Sequence, residues 1–186
     1  MSWTWTAGLA GLVIMAASPC ALGQTSLSQP YAGMEARTIK ALSDEQIADL
    51  KAGRGMRLAL AAELNGYPGP SHVLELAAQL NLTDQQRVTV RQLFDAMKAE
   101  SIAIGERLLR RESDLDRLFA DRTITPEGLK AEITAIGELQ AELRATHLKY
   151  HLLTPALLTE HQMRRYSELR GYAGGTHNGQ HRHRAN

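Results

Sequence analysis

Residues 82–86 read Leu-Thr-Asp-Gln-Gln, and no proline follows before Pro126. Thr83 is placed to cap a helix, its hydroxyl accepting the backbone N–H three residues on. Gln86 stands at the third helical position, where its side chain reaches back to the Thr83 N–H. Two of the donors that a helix start leaves unpaired are satisfied by this one box. Beyond it Val90, Phe94, Met97, Ile104, Leu108, Leu115 and Phe119 recur in helical steps and hold one face. A continuous helix over 83–119 would be about 55 Å long at ~1.5 Å per residue. A rod of that length with one apolar stripe needs other helices to cover it, so the spacing predicts an all-α fold built around it.

The turn at 121–124 is short. Thr125 then caps a second long helix, and Pro126 takes the first helical position, where its missing N–H costs nothing. Leu129, Ile133, Ile136, Leu139, Leu143, His147, Tyr150 and Leu153 form its stripe. Two long amphipathic helices joined by a short turn predict an antiparallel hairpin. Thr154-Pro155 ends the second helix, and Thr159 caps a shorter one reaching about residue 169. Upstream, Ser43 opens a helix expected over 43–64 that Gly53 and Gly55 weaken. Residues 65–70, Asn-Gly-Tyr-Pro-Gly-Pro, break the chain before a short helix over 71–80. A hairpin with its apolar face uncovered predicts a homodimer. Gly105 and Gly137 fall at one level of the hairpin, either for close helix approach or as tolerated glycines.

The box at Leu82, Thr83 and Gln86 returns at Leu158, Thr159 and Gln162, and a degenerate copy stands at residues 42–46. Paired Leu-Thr-x-x-Gln motifs on a small helical chain with an export signal resemble the Spy/CpxP family of periplasmic proteins. The resemblance covers residues 43–172. It implies an elongated, curved all-α homodimer with a client-binding concave side. The family includes ATP-independent chaperones, a zinc-resistance-associated protein and heavy-metal sensors. The leading expectation is therefore a periplasmic chaperone that holds unfolded envelope proteins during envelope stress. A heavy-metal (Zn, Ni or Cu) sensing or buffering protein is the alternative, and an adaptor regulating a membrane stress sensor is a third.

Residues 1–23 read as a signal peptide. Residues 7–17 are an apolar run too short to span a bilayer comfortably, and Ala21-Leu22-Gly23 precedes a cleavage point at Gln24. The segment lacks the usual basic residue, and retention as a membrane anchor is the alternative. Cleavage would remove Cys20, the single cysteine, and both tryptophans, leaving no disulfide to form. Residues 24–42 read as a flexible arm and 173–186 as a polar, disordered tail. With 21 basic against 20 acidic residues, the chain carries no nucleic-acid footprint. Nucleophile elbow, phosphate loop, dinucleotide fingerprint and His-Glu-x-x-His are all missing from the sequence, which argues against an enzyme. Glu106, Glu112, Asp114 and Asp116 alternate with arginines as a solvated, salt-bridged helix surface would.

Three groups of residues are candidates for binding. His147 and His151, one turn apart, share a helix face that can offer two ligands to Zn, Ni or Cu, with Asp95 about level across the hairpin. The competing reading packs His147 in the helix seam and leaves His151 on its rim. The tail carries His177, His181 and His183, which either hold a metal loosely or are simply solvated. Arg87, Arg91 and Lys98 run along one edge of the first long helix beside Ile102 and Leu109. Such a strip can attract an unfolded client by charge and hold it by apolar contact, or be ordinary surface. Family chaperones often have a markedly basic cradle, and this nearly neutral helix departs from that pattern.

Overall fold

The computed structural model describes residues 29–172, which divide between two units at Ala32 and Gly33. Of the first unit, residues 29–32 form a turn closed by the Ala32 N–H on the Gln29 carbonyl at 3.1 Å. The second holds the helices: α1 (Asp44–Ala52), α2 (Leu60–Glu63), α3 (Pro70–Glu75), α4 (Asp84–Ala120), α5 (Pro126–Leu153) and α6 (Glu160–Leu169). Single 3-10 turns lie at Met34–Ala36 and Pro155–Leu157. The fold is all-α, with no strand among the described residues.

Helices α4 and α5 lie against each other in antiparallel register. Lys149 reaches Glu100 at 2.7 Å, and Arg107 reaches Glu142 at 3.1 Å. The caps form as their sequences dictate. Ser43 with Gln46, Thr83 with Gln86 and Thr159 with Gln162 each close a complete capping box. Thr125 accepts the Gly128 N–H at 3.1 Å, with Pro126 just inside the helix.

The helix expected over 43–64 is instead two helices. α1 stops at Gly53, which sits in the left-handed region at φ 63. A Cβ at this glycine would lie 2.8 Å from the Lys98 carbonyl oxygen. Close approach and backbone geometry therefore both require glycine there. Met56 and Arg57 then follow at φ 39 and 64 before α2 begins. The helix expected over 71–80 is likewise shorter, giving way to turns after Glu75 that end on Asn81 at φ 50.

Gly105 does serve a close helix approach, but to α1 rather than α5: its Cβ would meet the Leu50 carbonyl oxygen at 2.6 Å. Nothing lies within 4 Å of a Cβ at Gly137. This docking of α1 onto α4 changes how the long helices are covered. Leu50, together with Ile39, packs on Ile104, Leu108, Leu109, Ile136, Leu139 and Leu143. Ile39 lies within the arm expected over 24–42, so that arm is not free throughout. A second cluster joins Val73, Ala77, Leu80 and Leu82 to Val90 and Tyr166. The chain thus covers much of its own hairpin, and the inference from an uncovered face to a dimer loses its premise there. Phe119 and Ile133, near the α4–α5 turn, stay about half exposed. Glu112, expected on the solvated surface, is buried, and burial raises its carboxyl pKa.

Candidate functional site

The two full motifs meet. The Gln86 Nε2 donates to the Gln162 Oε1 at 2.9 Å, and the Gln162 Nε2 donates to the Gln86 Oε1 at 3.0 Å. Each amide also crosses to the backbone before the other box: Gln86 to the Leu157 carbonyl at 2.8 Å, Gln162 to the Leu80 carbonyl at 3.3 Å. Each side-chain oxygen still accepts its own cap N–H, from Thr83 at 3.0 Å and from Thr159 at 2.9 Å. Both glutamines therefore cap their own helix and tie the two helix starts together across 76 residues. Leu82 and Leu158 pack in the cluster beside them.

A buried carboxylate stands at a second junction. Glu63, at the end of α2, is 4% exposed. Its Oε1 accepts the hydroxyls of Tyr166 and, at 3.2 Å, Tyr172; Arg170 lies 3.6 Å away. Its Oε2 accepts the Gly69 N–H at 3.1 Å and lies 3.4 Å from His72 Nδ1. The His72 contact is within ion-pair distance, yet that nitrogen makes no hydrogen bond. Burial alone would raise the Glu63 pKa. His72, Tyr166 and the Gly69 amide outweigh it and hold the carboxyl at about 2. Burial and the same carboxylate push Tyr166 up, so its phenol stays a donor.

Both candidate helix-face histidines lie inside the protein. His151 Nδ1 is 2.7 Å from the Tyr67 carbonyl, which can only accept, so Nδ1 carries the proton. A Cβ at Gly69 would strike its Nε2 at 2.6 Å, which fixes glycine at that position by proximity. His147 Nε2 pairs with the Ser101 hydroxyl at 3.3 Å. Burial first, and His151 second, lower the His147 pKa, keeping it neutral near pH 7. Asp95 is exposed while both imidazoles are buried, so the three do not share a site. Among the described residues no three His, Cys, Asp or Glu side chains gather as a metal would require. His177, His181 and His183 lie outside the described residues, as do residues 1–23. No described helix is long and apolar enough to cross a membrane.

The basic and apolar strip does not hold together as a surface. Leu109 is buried in the first core cluster, because α1 and Ile39 cover that face of α4. Ile102 is half-buried, its Cγ1 3.1 Å from where a Cβ on Gly53 would sit. Arg87 donates to the Leu82 carbonyl at 3.3 Å, and Arg91 lies 5.5 Å over the Phe94 ring. Lys98 lines a cleft of about 540 Å³ together with His147 and His151.

Glu63 is the residue that sequence reasoning missed. Its own surroundings held one signal: no basic residue stands three or four positions away on either side, and Ala61, Ala62 and Leu64 flank it. A carboxylate on an exposed helix usually has such a neighbour, and one without it finds its partners at long range. Comparison of the chain with family models, with curated proteins and with solved structures found no match.

Proposed function

We propose that the chain is a Spy/CpxP-like envelope protein that holds unfolded proteins by binding, without ATP and without chemistry. The observation that carries this reading is the Gln86–Gln162 amide pair. The residues that carry the resemblance are the ones that join the two helix starts, so the repeated motif has a structural reason to occur twice. Exposed apolar side chains support a binding role: Val88, Leu64 and Leu152 are each more than half exposed. Apolar groups left on a surface are available to the apolar segments of an unfolded partner. Packing of a second copy at the α4–α5 turn would cover Phe119 and Ile133, in keeping with a homodimer.

The test is light scattering from a chemically denatured client diluted without nucleotide. Suppression of aggregation near equimolar chain is expected, and an unchanged scattering curve would contradict the proposal. The metal-responsive alternative draws on one observation, the spacing of His177, His181 and His183. Equilibrium dialysis with Zn or Ni, before and after truncation beyond Tyr172, addresses it. Binding by a tail of this kind should fade below about pH 6 as imidazole protonates.

A further inference from the structure

The 540 Å³ cleft lies where the loop after α1 faces α3 and α4, and its size is that of a small-molecule site. Leu60, Phe94 and Met97 contribute apolar wall. Charge along it is unevenly paired. Glu63 also lines the cleft, but its oxygens are taken by Tyr166, Tyr172 and Gly69. Arg54 is held by Asp49, and Arg170 lies against Glu63. Arg57 and Lys98 have no ion-pair or side-chain hydrogen-bond partner among the described residues. Against them stands Glu75, the one further carboxylate of the lining.

Two independent features point at the same space. His147 is 2% exposed, and its Nδ1 has no hydrogen-bond partner among the described residues. In the tautomer in which Ser101 donates its O–H to Nε2, Nδ1 carries the proton and offers a donor. Gly55 leaves that nitrogen open: a Cβ there would sit 3.7 Å from it. The loop that brings Gly55 and Arg57 to the cleft is strained, because Met56 and Arg57 both occupy the left-handed region without being glycine or asparagine. Strain of this kind gathers at ligand sites.

We propose that this cleft binds a small amphiphilic carboxylate, an aryl or medium-chain alkyl acid, with its apolar body against Leu60, Phe94 and Met97 and its carboxylate between Arg57, Lys98 and His147. Apolar wall alone would take a neutral ligand equally well. The two unpaired cations and the open Nδ1 donor select the acid.

The experiment is titration calorimetry of the full chain near neutral pH with 4-phenylbutyrate and with 4-phenylbutan-1-ol. The acid is expected to bind saturably, and the alcohol about tenfold more weakly or worse, the loss of one charge-assisted contact. Arg57→Asn with Lys98→Gln should erase that preference while leaving the alcohol unchanged. Asparagine tolerates the left-handed backbone, so the loop is retained. Lys98→Gln alone, at an exposed position, should remove part of the preference and stands in where the double variant melts early. Gly55→Leu should weaken both ligands by occupying the space beside His147. No saturable binding of the acid, equal affinity for acid and alcohol, or an unchanged acid affinity in a folded Lys98→Gln variant would each overturn the proposal.

Discussion

The two ends of the hairpin solve the burial of polar groups differently. Where α2, α3 and α6 close over the start of α4 and the end of α5, a network of buried polar side chains forms, with the His72 Nδ1 its one buried atom lacking a hydrogen bond among the described residues. Glu63, Gln162 and Thr154 each find partners there, Thr154 giving its hydroxyl to the Tyr150 carbonyl at 2.7 Å. Toward the α4–α5 turn the packing is only two helices deep. Phe119 and Ile133 are about half exposed, while the Glu132 Oε2 is buried without a hydrogen-bond partner. A paired buried polar group fixes one arrangement of the elements around it, since any other leaves it unsatisfied. The closed end therefore specifies how the helices meet, and the turn end leaves apolar surface exposed.

The largest expected effect is at Glu63. Glu63→Ala should cost about 3–5 kcal/mol in urea unfolding, because Tyr166, His151 and Arg170 lose the group they surround. The subtler change Glu63→Gln sharpens the comparison through pH. The carboxyl is held at about 2 in the folded chain against an ordinary 4.5, so its contribution is present above pH 4.5 and disappears as pH falls toward 2. The gap corresponds to about 3 kcal/mol. Wild type should lose that much more stability than Glu63→Gln over this window, and parallel acid profiles would break the argument.

Next in size are the caps. Thr83→Ala and Thr159→Ala should each lower stability by about 1 kcal/mol through the lost bonds to Gln86 and Gln162. The smallest effect belongs to the turn end. Ile133→Ser should change the stability of an isolated chain by less than about 0.5 kcal/mol. A clear shift in sedimentation coefficient with little change in unfolding would identify that end as the contact with a second copy.

These differences track what the sequence made legible. Helix starts were readable because a cap and its partner lie three residues apart, and the spans of α4 and α5 followed from Thr83, Thr125 and Pro126. The all-α architecture followed from the same stripes. The break at Gly53 was half visible: glycine marked a weak point, but the Lys98 carbonyl that forces the stop lies 45 positions away. Leu109 was misread as surface because helical periodicity shows an edge residue without showing whether α1 covers it. His147 and His151 read either as ligands or, the favoured reading, as a seam residue and a rim residue. Ser101 and the Tyr67 carbonyl decide their surroundings, and both are distant in sequence. The Glu63 cluster draws on contacts up to 109 residues apart, beyond the reach of any local pattern.

The most direct test of the lock between the two motifs is a double-mutant cycle on Gln86 and Gln162. Urea unfolding would be measured for wild type, Gln86→Met, Gln162→Met and the double variant. Each single change removes both cross-amide bonds, frees one cap N–H and one carbonyl, and leaves the other glutamine its own cap N–H and its carbonyl; it should cost about 1–3 kcal/mol. The reciprocal pair predicts that the double variant costs less than the sum by about 1 kcal/mol or more, since either single change already breaks both shared amide bonds. Additive losses within about 0.3 kcal/mol would mean that each glutamine serves only its own helix start, and that the two motifs do not act as one device.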